Sequence, residues 1–234
     1  MKYIINKVLA VVIGSVLLYS CENNTTEGVT KTTYYVNLEL KGESTVELAM
    51  GTPYQEPGCI ATENGEDVSD KVVIKGEVDS NKAGIYYRSY SAVNVDGFAK
   101  SIKRTIIIYN PAITTDISGT YTVAPGSYRM MSGTQADFSG FTVNISKELP
   151  GVFKISDLLG GYYDQGRNYG PDYAMGGTIG LGSDNSITAF SGYVPGFGDT
   201  YDSLTNGTFD PATSTLTWDL AYAGQMTFHI ILKK

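Results

Sequence analysis

Cysteine and histidine are nearly absent from this chain. Its 234 residues hold two cysteines, Cys21 and Cys59, and one histidine, His229. Cys21 closes an N-terminal apolar segment, which leaves Cys59 without an internal partner. A disulfide framework and a CxxC metal or redox motif are both excluded. Zinc sites draw on several His or Cys ligands, more than the chain can supply. Ser-His-Asp and Cys-His chemistry need a His oriented by a third group, and no motif surrounds His229. In Met226-Thr227-Phe228-His229-Ile230 it takes the face opposite Met226, Phe228 and Ile230, so it is predicted to be a surface or edge residue. Cys59, in the apolar run Gly58-Cys59-Ile60, is predicted to be buried and inert.

Charge is also scarce, at 18% of residues, and there is one Trp. No long helical periodicity follows the N-terminal segment, and Ser156 to Leu159 reads as a turn. What is abundant is Tyr, at 18, and Gly, at 27. Aromatic and Gly-rich chains with many Thr and Ser favour strands and turns, so the fold class is expected to be all-β.

The first twenty residues combine Lys2 and Lys7 with an apolar run from Val8 to Leu18, too short to span a bilayer. This is the layout of a secretory signal peptide. Leu18-Tyr19-Ser20-Cys21 resembles a bacterial lipobox, in which the chain is cut before the Cys and the Cys is acylated. That resemblance implies lipidation of Cys21, and with it a membrane partner, since several acyl chains give an anchor that one chain does not. Residues 21–33 begin as a polar tether with nothing to bury. Glu22, directly after the Cys, resembles the surface-export tether of Bacteroidota lipoproteins. The resemblance implies the outer membrane, at the cell surface, with the periplasm-facing side as the alternative.

Loss of residues 1–20 removes two lysines and no acid. It leaves 15 basic against 24 acidic residues, a net charge of −9. Such a surface repels phosphate backbones, so no nucleic-acid partner is expected.

Residues 34–110 alternate as a half-buried sheet, with strands predicted at 34–40, 45–48, 58–62, 72–78, 85–94 and 98–109. Asn64-Gly65 and Asp96-Gly97 mark hairpins. Gly84-Ile85-Tyr86 places a Tyr at the start of a late strand, as in the tyrosine corner of immunoglobulin-like sandwiches, and Arg88 stands where antibody domains have Cys. Leu48, Gly51, Tyr54, Glu56-Pro57-Gly58, Ala61, Gly65, Asp67-Val68, Val78-Asp79, Gly84, Tyr86, Tyr90, Ala92, Asn94 and Asp96-Gly97 together resemble the bacterial immunoglobulin-like domain first catalogued from pesticidal crystal proteins. The resemblance implies a spacer or adhesion unit without catalytic residues.

Asn110-Pro111-Ala112 ends the last Ile-rich strand, because Pro cannot donate to the ladder. From residue 116 to 234 about eight antiparallel strands are predicted, at 119–123, 140–147, 152–155, 177–181, 186–190, 207–209, 215–220 and 225–232. They suit a second sandwich or barrel. Leu216, Trp218 and Leu220 share one face, so Trp218 is expected in the core. Ile117-Ser118-Gly119-Thr120-Tyr121, Pro150 to Tyr163, Tyr169-Gly170 and Asp184-Asn185 resemble the C-terminal domain of Bacteroidota lipoproteins encoded near starch-utilisation-type glycan uptake loci. That resemblance implies glycan capture as the setting and an outer-membrane transporter complex as a partner.

Two long loops, 158–173 and 192–202, are rich in aromatic residues, and loops of this length are usually functional. Aromatic faces stack on sugar rings while Asp, Asn and Arg bond hydroxyls. The expected glycan-binding residues are Tyr162, Tyr163, Asp164, Arg167, Tyr169, Asp172, Tyr173, Tyr193, Phe197 and Tyr201, with packing of these rings onto the barrel as the alternative. Glycoside hydrolysis needs two carboxylates about 5–10 Å apart. Asp164, Asp172, Asp199 and Asp202 carry no such motif, and Asp-rich Gly loops make turns or bind calcium instead. No catalytic residue, metal site or cofactor is expected, and the protein is not read as an enzyme. Asp202-Ser203-Leu204 resembles a Bacteroidota O-glycosylation acceptor, with Ser203 as the modified residue. The function expected from sequence is a non-catalytic glycan-binding accessory protein of a polysaccharide uptake system. The alternative is a structural or adhesion subunit of an envelope complex.

Overall fold

The computed structural model describes residues 31–234. The signal segment, Cys21 and the tether up to residue 30 lie outside the described residues. What is described is almost entirely β, in two units.

The first unit is a sandwich. β1 (Asn37–Leu40), β3 (Cys59–Glu63) and β4 (Glu66–Asp67) form one sheet. β2 (Thr45–Ala49), β7 (Ala99–Tyr109), β6 (Gly84–Val93) and β5 (Val73–Lys75) form the other, in that order. β2 runs parallel to β7, with Thr45 opposite Thr105 and Ala49 opposite Tyr109. Val36, Leu38, Cys59, Ala61 and Val68 meet Tyr90 and Ala92 between the sheets. Cys59 is buried, as expected. Asn64 and Gly65 both take positive φ and join β3 to β4 through a two-residue turn. The Tyr86 hydroxyl donates to the Lys82 carbonyl at 2.9 Å, the back-bond of a tyrosine corner.

Sequence reasoning had not singled out the charged centre of this sandwich. Arg104 is fully buried on β7. Its guanidinium donates to the Glu43, Lys41 and Gly58 carbonyls, to the Tyr90 hydroxyl at 2.9 Å and to Glu56 Oε1 at 3.2 Å. Glu56 also accepts from Tyr90, from the Gly58 N–H and from Arg88 Nε. Burial opposes ionisation of Glu56, but the bonds from Tyr90, Arg88 and Gly58 outweigh it and hold the carboxyl below its ordinary value. This network is the physical content of the Glu56-Pro57-Gly58 motif. Arg88, at the antibody Cys position, bonds Glu56 and the Gly76 carbonyl. Gly76 has φ +94, and a Cβ there would lie 2.1 Å from the Tyr87 carbonyl oxygen, so only glycine fits.

The second unit is one antiparallel sheet of ten strands, two more than expected. They are β8 (Gly119–Val123), β9 (Tyr128–Met131), β10 (Thr134–Asp137), β11 (Thr142–Leu149), β12 (Val152–Ile155), β13 (Gly176–Leu181), β14 (Ile187–Tyr193), β15 (Tyr201–Asp210), β16 (Thr215–Tyr222) and β17 (Met226–Lys233). β17 pairs with β16 along its length, and on its other side with β9 first and β8 last. From β8 the sheet continues through β11, β12 and β13 to β14. It curls until β14 approaches β15, joined by a bridge between Ser186 and Thr208 and by the Phe209 N–H to the Asn185 carbonyl. The additional strands are the β9–β10 hairpin. Its residues are all partly exposed and lack the alternation that marks a half-buried strand.

Alternation dictates the interior. Leu216, Trp218, Leu220 and Tyr222 of β16 and Phe228, Ile230 and Leu232 of β17 fill the curl. Trp218 is fully buried, as its face predicted. Ile113 and Ile117 also pack in this core. The second unit therefore recruits chain from residue 113, three residues ahead of the expected boundary.

Candidate functional site

The loops between β12 and β13, between β14 and β15 and between β16 and β17 lie at one rim of the curled sheet. The first begins with Asp157, which is almost wholly buried. Its carboxylate accepts three backbone N–H groups: Leu159 at 2.8 Å, Gly161 at 2.9 Å and Met175 at 3.0 Å. Burial pushes its pKa up to about 6, against the pull of these three donors. Trp218 donates its indole N–H to the Leu158 carbonyl at 3.0 Å, tying the same loop to the core.

The first of the two loops is not irregular along its whole length, as a loop reading of 158–173 implied. Tyr162–Gly166 forms one turn of π-helix and Pro171–Tyr173 one of 3-10 helix. The π turn closes with the Arg167 N–H on the Tyr162 carbonyl, and Gln165 bonds both backbone groups of Thr142 at 2.9 Å. The two loops are joined by the Gly196 N–H on the Asp172 carbonyl at 2.7 Å. A Cβ on Gly196 would lie 2.7 Å from the Tyr173 ring, so the ring lies flat on bare backbone.

The aromatic residues divide into two groups. Tyr162 is buried and lies edge-on to Phe138, Tyr163 and Phe228, with ring centroids 5.1, 5.0 and 5.4 Å away. Tyr201 is the first residue of β15 rather than part of a loop, and its hydroxyl donates to the Ala189 carbonyl at 3.1 Å. These two pack. Tyr163, Tyr169, Tyr173 and Phe197 form a second cluster across both loops. Tyr163–Phe197, Tyr169–Tyr173 and Tyr173–Phe197 are edge-on at 5.1, 5.3 and 4.8 Å, and Tyr163 stacks on Tyr169 at 6.1 Å. Tyr163 and Tyr173 are half-buried, while Tyr169 and Phe197 are exposed. Tyr193 is exposed at the end of β14.

Asp164 is half-buried beside the cluster, and Arg167 and Asp172 are exposed. Asp199 and Asp202 serve the scaffold. Asp199 accepts the Tyr222 hydroxyl at 2.6 Å, and burial, followed by this bond, raises the Tyr222 pKa. Asp202 accepts the Gly224 N–H at 2.7 Å. Ser203 is exposed on β15, beside an irregularity in its pairing with β16.

His229 has an orienting group, contrary to expectation. Its Nδ1 lies 2.6 Å from Asp219 Oδ1, and its ring stacks on Tyr128 at 5.2 Å. Burial opposes ionisation of Asp219, but bonds from Asn206 and His229 hold its carboxyl below the ordinary value. The pair was legible in principle, because the β16–β17 register places Asp219 directly opposite His229. No group of three or more His, Cys, Asp or Glu side chains is placed to hold a metal among the described residues.

The architecture is an Ig-like sandwich followed by a curled antiparallel sheet. A family described as a bacterial surface protein, Ig-like domain, matches residues 38–108, and a C-terminal-domain family matches residues 110–234. The crystal structure of the lipoprotein BT2262 from Bacteroides thetaiotaomicron is 48% identical over 86% of this chain and 100% of its own, with a TM-score of 0.50. The chain belongs to the family of that lipoprotein. Two Clostridium perfringens ZmpB structures are far more distant. One holds CBM51-2 in complex with GlcNAc and INT domains (18% identity, 52% of this chain and 29% of that one, TM-score 0.27). The other holds the M60 catalytic domain with CBM51-1 and CBM51-2 (16%, 53% and 14%, TM-score 0.28). Likeness at this level carries no inference about ligand. No curated protein matches the chain significantly.

Proposed function

We propose that the mature protein is anchored through lipidated Cys21 in the outer membrane, faces the cell exterior, and is a non-catalytic glycan-binding accessory of a polysaccharide uptake system. The observation that carries this reading is the rim cluster. Tyr169 and Phe197 are exposed rings braced from behind by Tyr163 and Tyr173, on loops pinned by Asp157 and Trp218. Rigid aromatic faces need little ordering on binding, and that favours a weakly polar ligand such as the face of a sugar ring. Asp164, Arg167 and Asp172 supply donors and acceptors at the border of the cluster for hydroxyl groups. Tyr193 extends the exposed aromatic surface.

A glycan array with residues 22–234 tests this. A hit abolished by Tyr169→Ala or Phe197→Ala supports it. A blank across plant, host and microbial glycans overturns it in favour of a structural or adhesion subunit, a reading that the Ig-like domain favours. Pull-down from the envelope would then identify the transporter or other complex it serves. Ser203 is proposed as an O-glycosylation site, and an intact mass of native protein without added sugar removes that assignment.

A further inference from the structure

The far end of the sandwich carries an apolar surface that the rim does not account for. The β6–β7 connection, Asn94 to Phe98, exposes Val95 and Phe98. Val93 lies beside it on β6, and Tyr34 and Tyr35 beside it on the segment entering β1. Val95 is 71% exposed and Tyr35 66%, and the Tyr35 and Phe98 rings touch at 5.5 Å between centroids. Contiguous exposed apolar side chains of this kind mark an interaction surface.

This exposure is held in place. Asn94 is buried, and its side chain accepts the Phe98 N–H at 2.7 Å and donates to the Tyr34 carbonyl at 2.7 Å. The Asn94 N–H bonds the Phe98 carbonyl, Gly97 takes φ +89, and the Val95 N–H bonds Glu63. Lys31 reaches Asp96 at 2.5 Å. The tip and the first described residues of the chain are therefore one stitched unit, and the tether leaves the domain at this apolar end.

The length of the tether decides what the surface meets. Nine residues lie between Cys21 and Lys31, ten Cα-to-Cα steps in all. Fully extended they reach at most about 35 Å, and any slack brings the tip closer to the anchor. Tyr beside a membrane settles at the headgroup level, where its apolar ring and its hydroxyl are both satisfied, and Phe buries its ring at the acyl boundary just below. We propose that Tyr34, Tyr35, Val95 and Phe98 rest on the lipid headgroup–acyl boundary that holds the anchor, so that the sandwich stands end-on and lifts the opposite end away from the bilayer. The inference rests on lipidation of Cys21. Lys31 is paired with Asp96, so contact draws on apolar burial and does not depend on anionic lipid.

Val95→Trp in the full lipidated chain tests it, reconstituted in zwitterionic phosphatidylcholine vesicles with brominated acyl chains. Trp218, fully buried in the other unit, gives a background measured on the unsubstituted protein. Met50→Trp is the control. Met50 bonds Tyr109 at the other end of β7, ten residues and about 33 Å from Ala99. The expected result is a blue-shifted Val95→Trp signal quenched at least about twofold, with Met50→Trp unquenched and the same outcome on adding anionic lipid. Phe98→Trp repeats the readout should Val95→Trp misfold. A lipidated, vesicle-bound protein with an unquenched, water-exposed tip overturns the contact and leaves the anchor standing. Equal quenching at both positions overturns the end-on orientation. A mature chain without lipid on Cys21 overturns the anchoring and this contact with it.

Discussion

Asp157 accepts the backbone N–H of Met175 at 3.0 Å, and so one buried carboxylate closes the loop that carries most of the rim aromatics. The same carboxylate holds Leu159 and Gly161 at the other end of the loop. Asp157→Ala would leave three buried N–H groups without an acceptor, each costing ~1–3 kcal/mol. The expected outcome is a loss of several kcal/mol from the C-terminal unit, read by denaturant unfolding, together with loss of any rim ligand.

Asp157 also sets a pH dependence. Its folded pKa of about 6 lies above the ordinary 3.8, so its contribution is fully present below pH ~4 and is lost as pH rises through 6. The C-terminal unit should be more stable at pH 4.5 than at pH 7, by ~2 kcal/mol. Asp157→Asn should flatten that slope, whatever it does to absolute stability. Calorimetry of both proteins across this range checks it.

Glu56 predicts the opposite slope for the sandwich. Its folded pKa is depressed below the ordinary 4.5, so its contribution is present above that value and is lost as pH falls through the folded value. Arg104→Met would leave Glu56 and the Tyr90 hydroxyl with less compensation in a partly buried site. The expected cost is ~3–5 kcal/mol, confined to the N-terminal transition.

Two tyrosines separate binding from packing. Tyr201→Ala removes a half-buried ring and its bond to Ala189, and should cost ~3 kcal/mol of stability. Tyr169→Ala removes an exposed ring, and should leave thermal stability within ~1 kcal/mol. A glycan found on the array should bind Tyr169→Ala about tenfold more weakly, equivalent to ~1.4 kcal/mol. Calorimetric unfolding and titration of both variants read the two effects apart.

The sequence was most informative where one face is dry and the other wet. Gly119–Val123 and Val152–Ile155 fall where alternation put them, and β16 and β17 shift by two residues or fewer at either end. Tyr128–Asp137 escaped because a hairpin with no fully buried side chain leaves no period to read. The π turn at Tyr162 escaped because one i→i+5 turn is set by its surroundings, here Gln165 against Thr142. Arg104 and Glu56 are 48 residues apart, and nothing local in either segment announces the pair. At the rim the residue types were legible, but the division of labour was not. Tyr162 and Tyr169 look alike in sequence, and only the fold buries one and exposes the other.

The parallel pairing of β2 with β7 has a mechanical consequence. Tension between a tether at the start of the chain and a load held beyond Tyr109 pulls β2 and β7 in opposite directions along their length. Five facing residue pairs, Thr45–Thr105 through Ala49–Tyr109, then share that tension in shear, whereas an antiparallel hairpin pulled open from its ends would lose its hydrogen bonds one rung at a time. The sandwich is thus wired to stay folded while something at its distal end is being dragged by flow or by a moving polymer.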